Sequence, residues 1–177
     1  RLDGNSYSQD MSNPLQQFSP RFSASYKINN IVSTNFNLGR YFQLPPFTTL
    51  GYRYDNVLIN KQNEIKYISC NQYIFGFEVN PNQYNKITIE GYYKAYSHYP
   101  YLIREKISLA NLGGDFGVIG NEPILSISNG TTYGIELMAQ RRISKGFYGI
   151  LAYTLGKSQF SNENGNFAPS SWDSRHI

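Results

Sequence analysis

The chain has 177 residues, with 16 Lys and Arg against 12 Asp and Glu, a formal net charge of +4. Charged residues make up only 16%, below the ~25% usual for soluble domains, while aromatics also reach 16%, as 16 tyrosines, 11 phenylalanines and one tryptophan. Such a balance argues against a disordered chain, the single cysteine against a disulfide scaffold or multi-cysteine zinc site, and the scattered basic residues, with Arg141-Arg142 the only tight pair, against nucleic-acid binding. Mean hydropathy is −0.47, and no apolar run approaches the ~18 residues of a membrane-spanning helix. Arg1-Leu2-Asp3-Gly4-Asn5 opens no apolar stretch of the kind a signal peptide needs.

Alternation with a period of two, the signature of a strand with two different faces, runs through most of the chain. It spans Phe18–Lys27, where Phe22, Ala24 and Tyr26 alternate with Arg21, Ser23, Ser25 and Lys27. It returns over Val32–Phe42, with Arg40 breaking the apolar side, and over Gln72–Asn80, where Tyr73, Phe75, Phe77 and Val79 oppose Gln72, Ile74, Gly76 and Glu78. Lys86–Tyr96 sets Ile87, Ile89, Tyr93 and Ala95 against Lys86, Thr88, Glu90 and Lys94. Thr131–Ile143 and Phe147–Ser158 continue it, and a seventh strand is expected from Trp172. These runs are about 9–13 residues, longer than the ~5–6 of soluble strands and matched to the ~9–11 of a strand crossing a bilayer obliquely.

The connections carry an asymmetry. Short turns are expected at 28–31, 81–84 and 144–146, and long excursions at 43–71, 97–130 and 159–171. Antiparallel succession places all the short turns at one end and all the long loops at the other. Outer-membrane barrels have this form, with short periplasmic turns and long outer loops, and loops beyond ~12–15 residues are uncommon in soluble domains. The fold expected is all-β, an antiparallel up-and-down transmembrane β-barrel segment over 1–177. The bilayer tolerates no open edge and single-chain bacterial barrels use at least ~8 strands, so six to seven strands read as part of a larger barrel.

On this reading Arg21, Glu78, Glu90, Lys94, Glu136 and Arg142 face the lumen, where charges pair with one another or meet whatever fills it. Tyr41, Tyr73, Tyr93, Tyr133 and Tyr153, with Phe42 and Phe147, are candidates for the aromatic belts at the two membrane surfaces. The long loops hold Tyr52, Arg53, Tyr54, Tyr67, His98, Tyr99, Tyr101 and Arg104. Aromatic and Arg side chains dominate binding hot spots, so these are the ligand candidates, with loop-on-loop packing as the competing role. Leu44-Pro45-Pro46 is expected to stop a strand.

Catalysis finds no support. There is no Gly-x-Ser-x-Gly elbow, no Gly-rich phosphate loop and no close carboxylate pair along the sequence. His98 and His176 lack metal-ligand spacing, so neither a metal nor another cofactor is expected. Cys70 is unpaired. Asn129-Gly130-Thr131 fits a glycosylation acceptor pattern, but Gly130 suits a loop-to-strand turn better.

Several segments carry a resemblance. Ser19-Pro20-Arg21-Phe22-Ser23 followed by Gly39-Arg40-Tyr41-Phe42-Gln43-Leu44-Pro45-Pro46 resembles the barrel of TonB-dependent outer-membrane receptors. Gly76-Phe77-Glu78 with Glu90-Gly91-Tyr92-Tyr93-Lys94-Ala95-Tyr96 is similar to its following hairpin. Tyr133-Gly134-Ile135-Glu136-Leu137, Ser144-Lys145-Gly146-Phe147-Tyr148-Gly149 and Tyr153-Thr154-Leu155-Gly156-Lys157-Ser158 resemble the next. Trp172-Asp173-Ser174-Arg175-His176-Ile177 is similar to the start of a further strand. The resemblance implies a barrel of about 22 strands filled by an N-terminal plug domain, and an N-terminal box that engages TonB. The partners it implies are outer-membrane lipid, the plug of the parent chain, TonB, and a scarce nutrient such as an iron chelate, cobalamin or glycan. It implies a bacterial outer-membrane receptor and transporter rather than an enzyme. A passive channel or small barrel, and a soluble β-sandwich binding module whose apolar faces meet each other, are the alternatives.

Overall fold

The computed structural model describes residues 4–113, 119–144 and 146–177. Its main sheet is antiparallel and formed by six long strands in chain order. These are β1 (Arg21–Lys27), β2 (Val32–Gln43), β5 (Ile68–Asn82), β6 (Asn85–Leu102), β8 (Ile124–Ser144) and β9 (Phe147–Ser161). Between β2 and β5 lies a small hairpin of β3 (Arg53–Tyr54) and β4 (Val57–Leu58); β7 (Ile107–Ser108) pairs with β6, and β10 (Phe167–Pro169) pairs with β9. Of three four-residue helices, α1 (Gln9–Ser12) precedes β1, and α2 (Phe47–Leu50) and α3 (Ile59–Gln62) sit in the excursion between β2 and β5. The up-and-down antiparallel sheet agrees with the fold class expected from alternation.

The tight reversals use local chemistry. Asn29 Oδ1 accepts from the backbone N–H groups of Ile31 and Val32, and Asn82 Oδ1 accepts from those of Tyr84 and Asn85. An Asn side chain thus mimics a turn in the backbone. β8 and β9 meet across Ser144 and Phe147; Lys145, in the middle of the turn expected there, lies outside the described residues, as do 114–118 in the excursion after β7.

Several strands run beyond their expected ends. β6 continues six residues past Tyr96, through register shifts between Tyr96 and Tyr99 and between Tyr99 and Tyr101, with His98 at φ 59°. A bulge adds a residue and reverses the phase of the alternation, which is why the pattern breaks there although the strand does not. β8 starts seven residues before Thr131, against this same extension. At the other end, Trp172 stands in a turn, closed by Asp173 N–H donating to the Ser170 carbonyl at 3.1 Å. After this turn the chain pairs with β9 again only at Arg175–Ile177, where Leu155 faces His176 and Thr154 and Ile177 exchange backbone bonds.

The buried core lies among the long excursions and the segment before β1 rather than under the sheet. Met11, Ile65, Tyr67, Leu102, Leu109 and Ile124 form it, with Tyr7, Phe42, Leu44, Leu50 and Tyr99 packed around. Pro46 caps α2, its carbonyl accepting from Thr49 and Leu50, so Pro45-Pro46 does end β2 and turn the chain into this cap.

Candidate functional site

Residues paired across adjacent strands share a face of the sheet, so the register sorts the side chains. One row reads Phe22, Leu38, Tyr73, Tyr93, Tyr133, Lys157 from β1 to β9; the next reads Ala24, Phe36, Phe75, Gly91, Ile135, Leu155. The third is Tyr26, Thr34, Phe77, Ile89, Leu137, Tyr153, and the fourth Val32, Val79, Ile87, Ala139, Leu151. This is a continuous apolar face, and its large side chains are exposed, Phe75 at 50% and Ile135 at 55%. Among the described residues no second sheet covers it. From Tyr133 to Ile143, at ~3.4 Å per residue and a tilt of ~40°, the face spans roughly 26 Å along the membrane normal, matching the ~25 Å apolar band of outer-membrane barrels. Tyr73, Tyr93 and Tyr133 form one aromatic row at its loop-side edge, with Tyr73 and Tyr93 rings 6.4 Å apart. Tyr41 is not in that row, because it lies on the opposite face with the Arg21 guanidinium 4.3 Å over its ring.

The opposite face is polar. Arg21, Gly39, Gln72, Lys94, Thr132 and Ser158 make one row; Ser25, Asn35, Gly76, Glu90, Glu136 and Thr154 make another. Gly76 has a specific reason to be glycine. A Cβ there would stand 2.7 Å from Glu90 Cγ and 2.8 Å from Asn35 Oδ1. Its absence lets Asn35 Nδ2, on β2, donate to Glu90 Oε1, on β6, at 3.0 Å across the strand between them. Glu78 accepts from Asn80 at 2.8 Å and pairs with Lys86 at 2.6 Å. Lys94 lies 5.4 Å over the Tyr92 ring. Tyr92 in turn lies across two glycines, its hydroxyl 2.7 Å from where a Gly134 Cβ would be and 2.6 Å from that of Gly156. Glu90 and Glu136 are direct cross-strand partners, a like-charge pair that disfavours the sheet unless a cation joins it. Arg142 sits at the register slip near the β8–β9 turn, its backbone N–H donating to the Tyr84 carbonyl at 2.8 Å.

Above the aromatic row the excursions fold on one another. Asn60 joins two of them, with Nδ2 donating to the carbonyls of Thr49 (2.7 Å) and Glu122 (2.9 Å) while Oδ1 accepts from Ile124 N–H (2.8 Å). Tyr7 Oη donates to the Leu50 carbonyl at 2.6 Å, and burial raises its pKa above the ordinary phenol range. The ligand candidates divide by exposure. Tyr52, Tyr67 and Tyr101 are buried, Tyr67 bonded by Asn5 and Tyr52 by Arg104 Nη2 at 3.1 Å. Tyr99 packs 4.6 Å from the buried Phe160 ring. Tyr54 is 64% exposed, and Arg53 and Arg104 are also exposed. Arg53 and Tyr54 belong to the β3–β4 hairpin, whose tip Asp55-Asn56 has both φ values positive (47° and 62°), the geometry that favours Asn and Asp in a two-residue hairpin turn. Among the described residues no group of His, Cys, Asp and Glu is placed to hold a metal ion. Asn35 and Asn60, amides that each bond across separate elements, are not distinguishable in the sequence from ordinary strand or loop asparagines.

The long antiparallel strands and two-faced register agree with a comparison against known families. Residues 1–174 match the family described as TonB dependent receptor-like, beta-barrel. The chain belongs to this family. A comparison with curated proteins returned no match. TonB-dependent receptors are outer-membrane transporters rather than enzymes, and the six long strands are a segment of such a receptor's barrel.

Proposed function

We propose that this segment forms wall and outer-loop surface of a TonB-dependent receptor in the bacterial outer membrane, importing a scarce nutrient of the iron-chelate, cobalamin or glycan class. The observation that carries the reading is the register, which gathers most of the large apolar residues of six strands onto one uncovered face and Arg21, Glu78, Glu90, Lys94 and Glu136 onto the other, while Lys157, Arg40 and Arg141 stand at the margins of the apolar face. In this orientation the turns near 28–31, 81–84 and 144–146 face the periplasm, and the excursions at 43–71, 97–130 and 159–171 face outward. Arg21, Glu78, Glu90, Lys94, Glu136 and Arg142 belong to the lumen, where the plug domain docks. The like-charge Glu90–Glu136 pair, which has no ion-pair partner among the described residues, suits a cationic side chain of that plug. Among the loop candidates, Arg53, Tyr54 and Arg104 are the ones with surface to offer an incoming ligand. Tyr52, Tyr67, Tyr99 and Tyr101 act by holding the cap that presents them.

Two measurements test this. Fractionation of the native cell envelope should place the protein in the outer membrane; recovery in a detergent-free soluble fraction would refute the reading. Nutrient-limited uptake should fall at least tenfold in an Arg53→Ala/Tyr54→Ala/Arg104→Ala variant that still reaches the membrane. Unchanged uptake would exclude this loop surface as the capture site.

A further inference from the structure

The apolar face is not uniform. A groove of about 820 Å³ crosses β5, β6, β8 and β9 just below the tyrosine row, within the ~300–1,000 Å³ of small-molecule sites. Phe75, Tyr93, Ile135 and Leu155 wall it, Gly91 opens its floor, and Lys157 stands at its loop-side edge in the row of Tyr133. Gly91 differs from Gly76, Gly134 and Gly156, whose missing side chains are occupied by neighbours. A Cβ at Gly91 would meet only the Phe75 carbonyl, at 3.9 Å, and its φ is not in the left-handed region. Neither sterics nor backbone conformation requires glycine there, so what its absent side chain leaves is the open groove. Lys157 has no ion-pair partner among the described residues, and an ammonium at headgroup depth attracts anionic lipid.

We propose that this groove holds one acyl chain of an outer-leaflet lipid whose phosphate-bearing headgroup pairs with Lys157. The proposal rests on the membrane reading above. Acyl chains supply the only apolar material at this depth of a bilayer, and the cation at the groove's upper edge selects an anionic headgroup. The tyrosine row offers hydroxyls at the same level to the headgroup's polar atoms. The site is therefore a specific lipid subsite on a wall otherwise in contact with interchangeable lipid.

The test uses the protein extracted from outer membranes, stripped of lipid and reconstituted with phosphatidylglycerol or with a neutral diacyl glycolipid of the same chains, then read by native mass spectrometry. Wild type should retain one phosphatidylglycerol in preference to the glycolipid. Lys157→Gln should reduce that preference about fivefold, the worth of one cation near a headgroup. Gly91→Ile, whose Cβ would meet only the Phe75 carbonyl at 3.9 Å, should lower retention of both lipids at least fivefold by filling the groove. Equal retention of the two lipids by wild type, or retention insensitive to Lys157→Gln, would overturn the proposal, and this second variant does not depend on the groove substitution folding. Absence of the protein from the outer-membrane fraction at the outset would overturn the membrane reading itself, a distinct failure.

Discussion

Replacing Asn60 with alanine removes three hydrogen bonds at a position that is fully buried. Each such bond contributes a net ~1 kcal/mol, and a buried group left without a partner costs ~1–3 kcal/mol. The Thr49 and Glu122 carbonyls and the Ile124 N–H lose their partner together, so about 3 kcal/mol is expected, allowing for water reaching some of them. The loss falls on the cap and not on the sheet, because Asn60 ties the segment after β2 to the segment before β8 and touches no transmembrane row. At ~1.4 kcal/mol per factor of ten, the equilibrium for opening the cap should shift about 100-fold. Hydrogen exchange read residue by residue is the direct assay. The Ile124 amide should exchange about 100-fold faster in Asn60→Ala, while amides of Phe75, Ile89 and Leu137 keep their protection. An unchanged rate at Ile124 would refute the clasp. Faster exchange in all four would refute the separation of cap from barrel.

Three further outcomes follow from the same geometry. Gly156→Ala should destabilise the fold by about 1–3 kcal/mol through overpacking against the Tyr92 hydroxyl, measured by urea unfolding in lipid. Most of that loss should disappear in a Tyr92→Ala background, whereas Gly134→Ala should stay impaired there because its Cβ also meets the Leu155 carbonyl. Ile89→Lys on the apolar face should cost about 2–4 kcal/mol in a bilayer, while Thr88→Lys, facing the other way opposite Glu78, should cost under 1 kcal/mol; the reverse order would mean the faces are assigned the wrong way round, and equal costs that lipid singles out neither face. Tyr7 should ionise above the ordinary phenol value in an ultraviolet pH titration compared with Tyr7→Phe. The sign follows from burial favouring the neutral phenol in the fold. That stabilisation is intact below the unfolded value near 10 and is lost as pH rises through the higher folded value.

The transmembrane part of the fold was readable because its physics is local. Alternation of Tyr73, Phe75, Phe77 and Val79 against Gln72, Ile74, Gly76 and Glu78 states both the strand and its two faces. Where the local rule breaks, alternation no longer reports the strand. At Ser97-His98 a bulge reverses the phase, so alternation is lost over the six residues of β6 beyond Tyr96 although they stay paired. A strand is expected from Trp172, yet its ring packs 5.7 Å from Phe160 and the chain turns there before pairing again with β9 at Arg175–Ile177. Tyr52, Tyr67 and Tyr101 look like Tyr54 in composition, and only their position in the cap makes them buried.

The sequence by itself determined the class of structure: six long two-faced strands, antiparallel and joined in order, with apolar residues at every second position. Lipid on one side and a polar interior on the other impose that pattern residue by residue, so it survives without knowledge of contacts. Tertiary structure alone decided which residues meet across strands. It set Glu90 against Glu136, passed Asn35 over Gly76, laid Tyr92 on Gly134 and Gly156, and closed the cap around Asn60. Those outcomes depend on register between segments distant in sequence, where a shift of one residue would send every side chain to the other face.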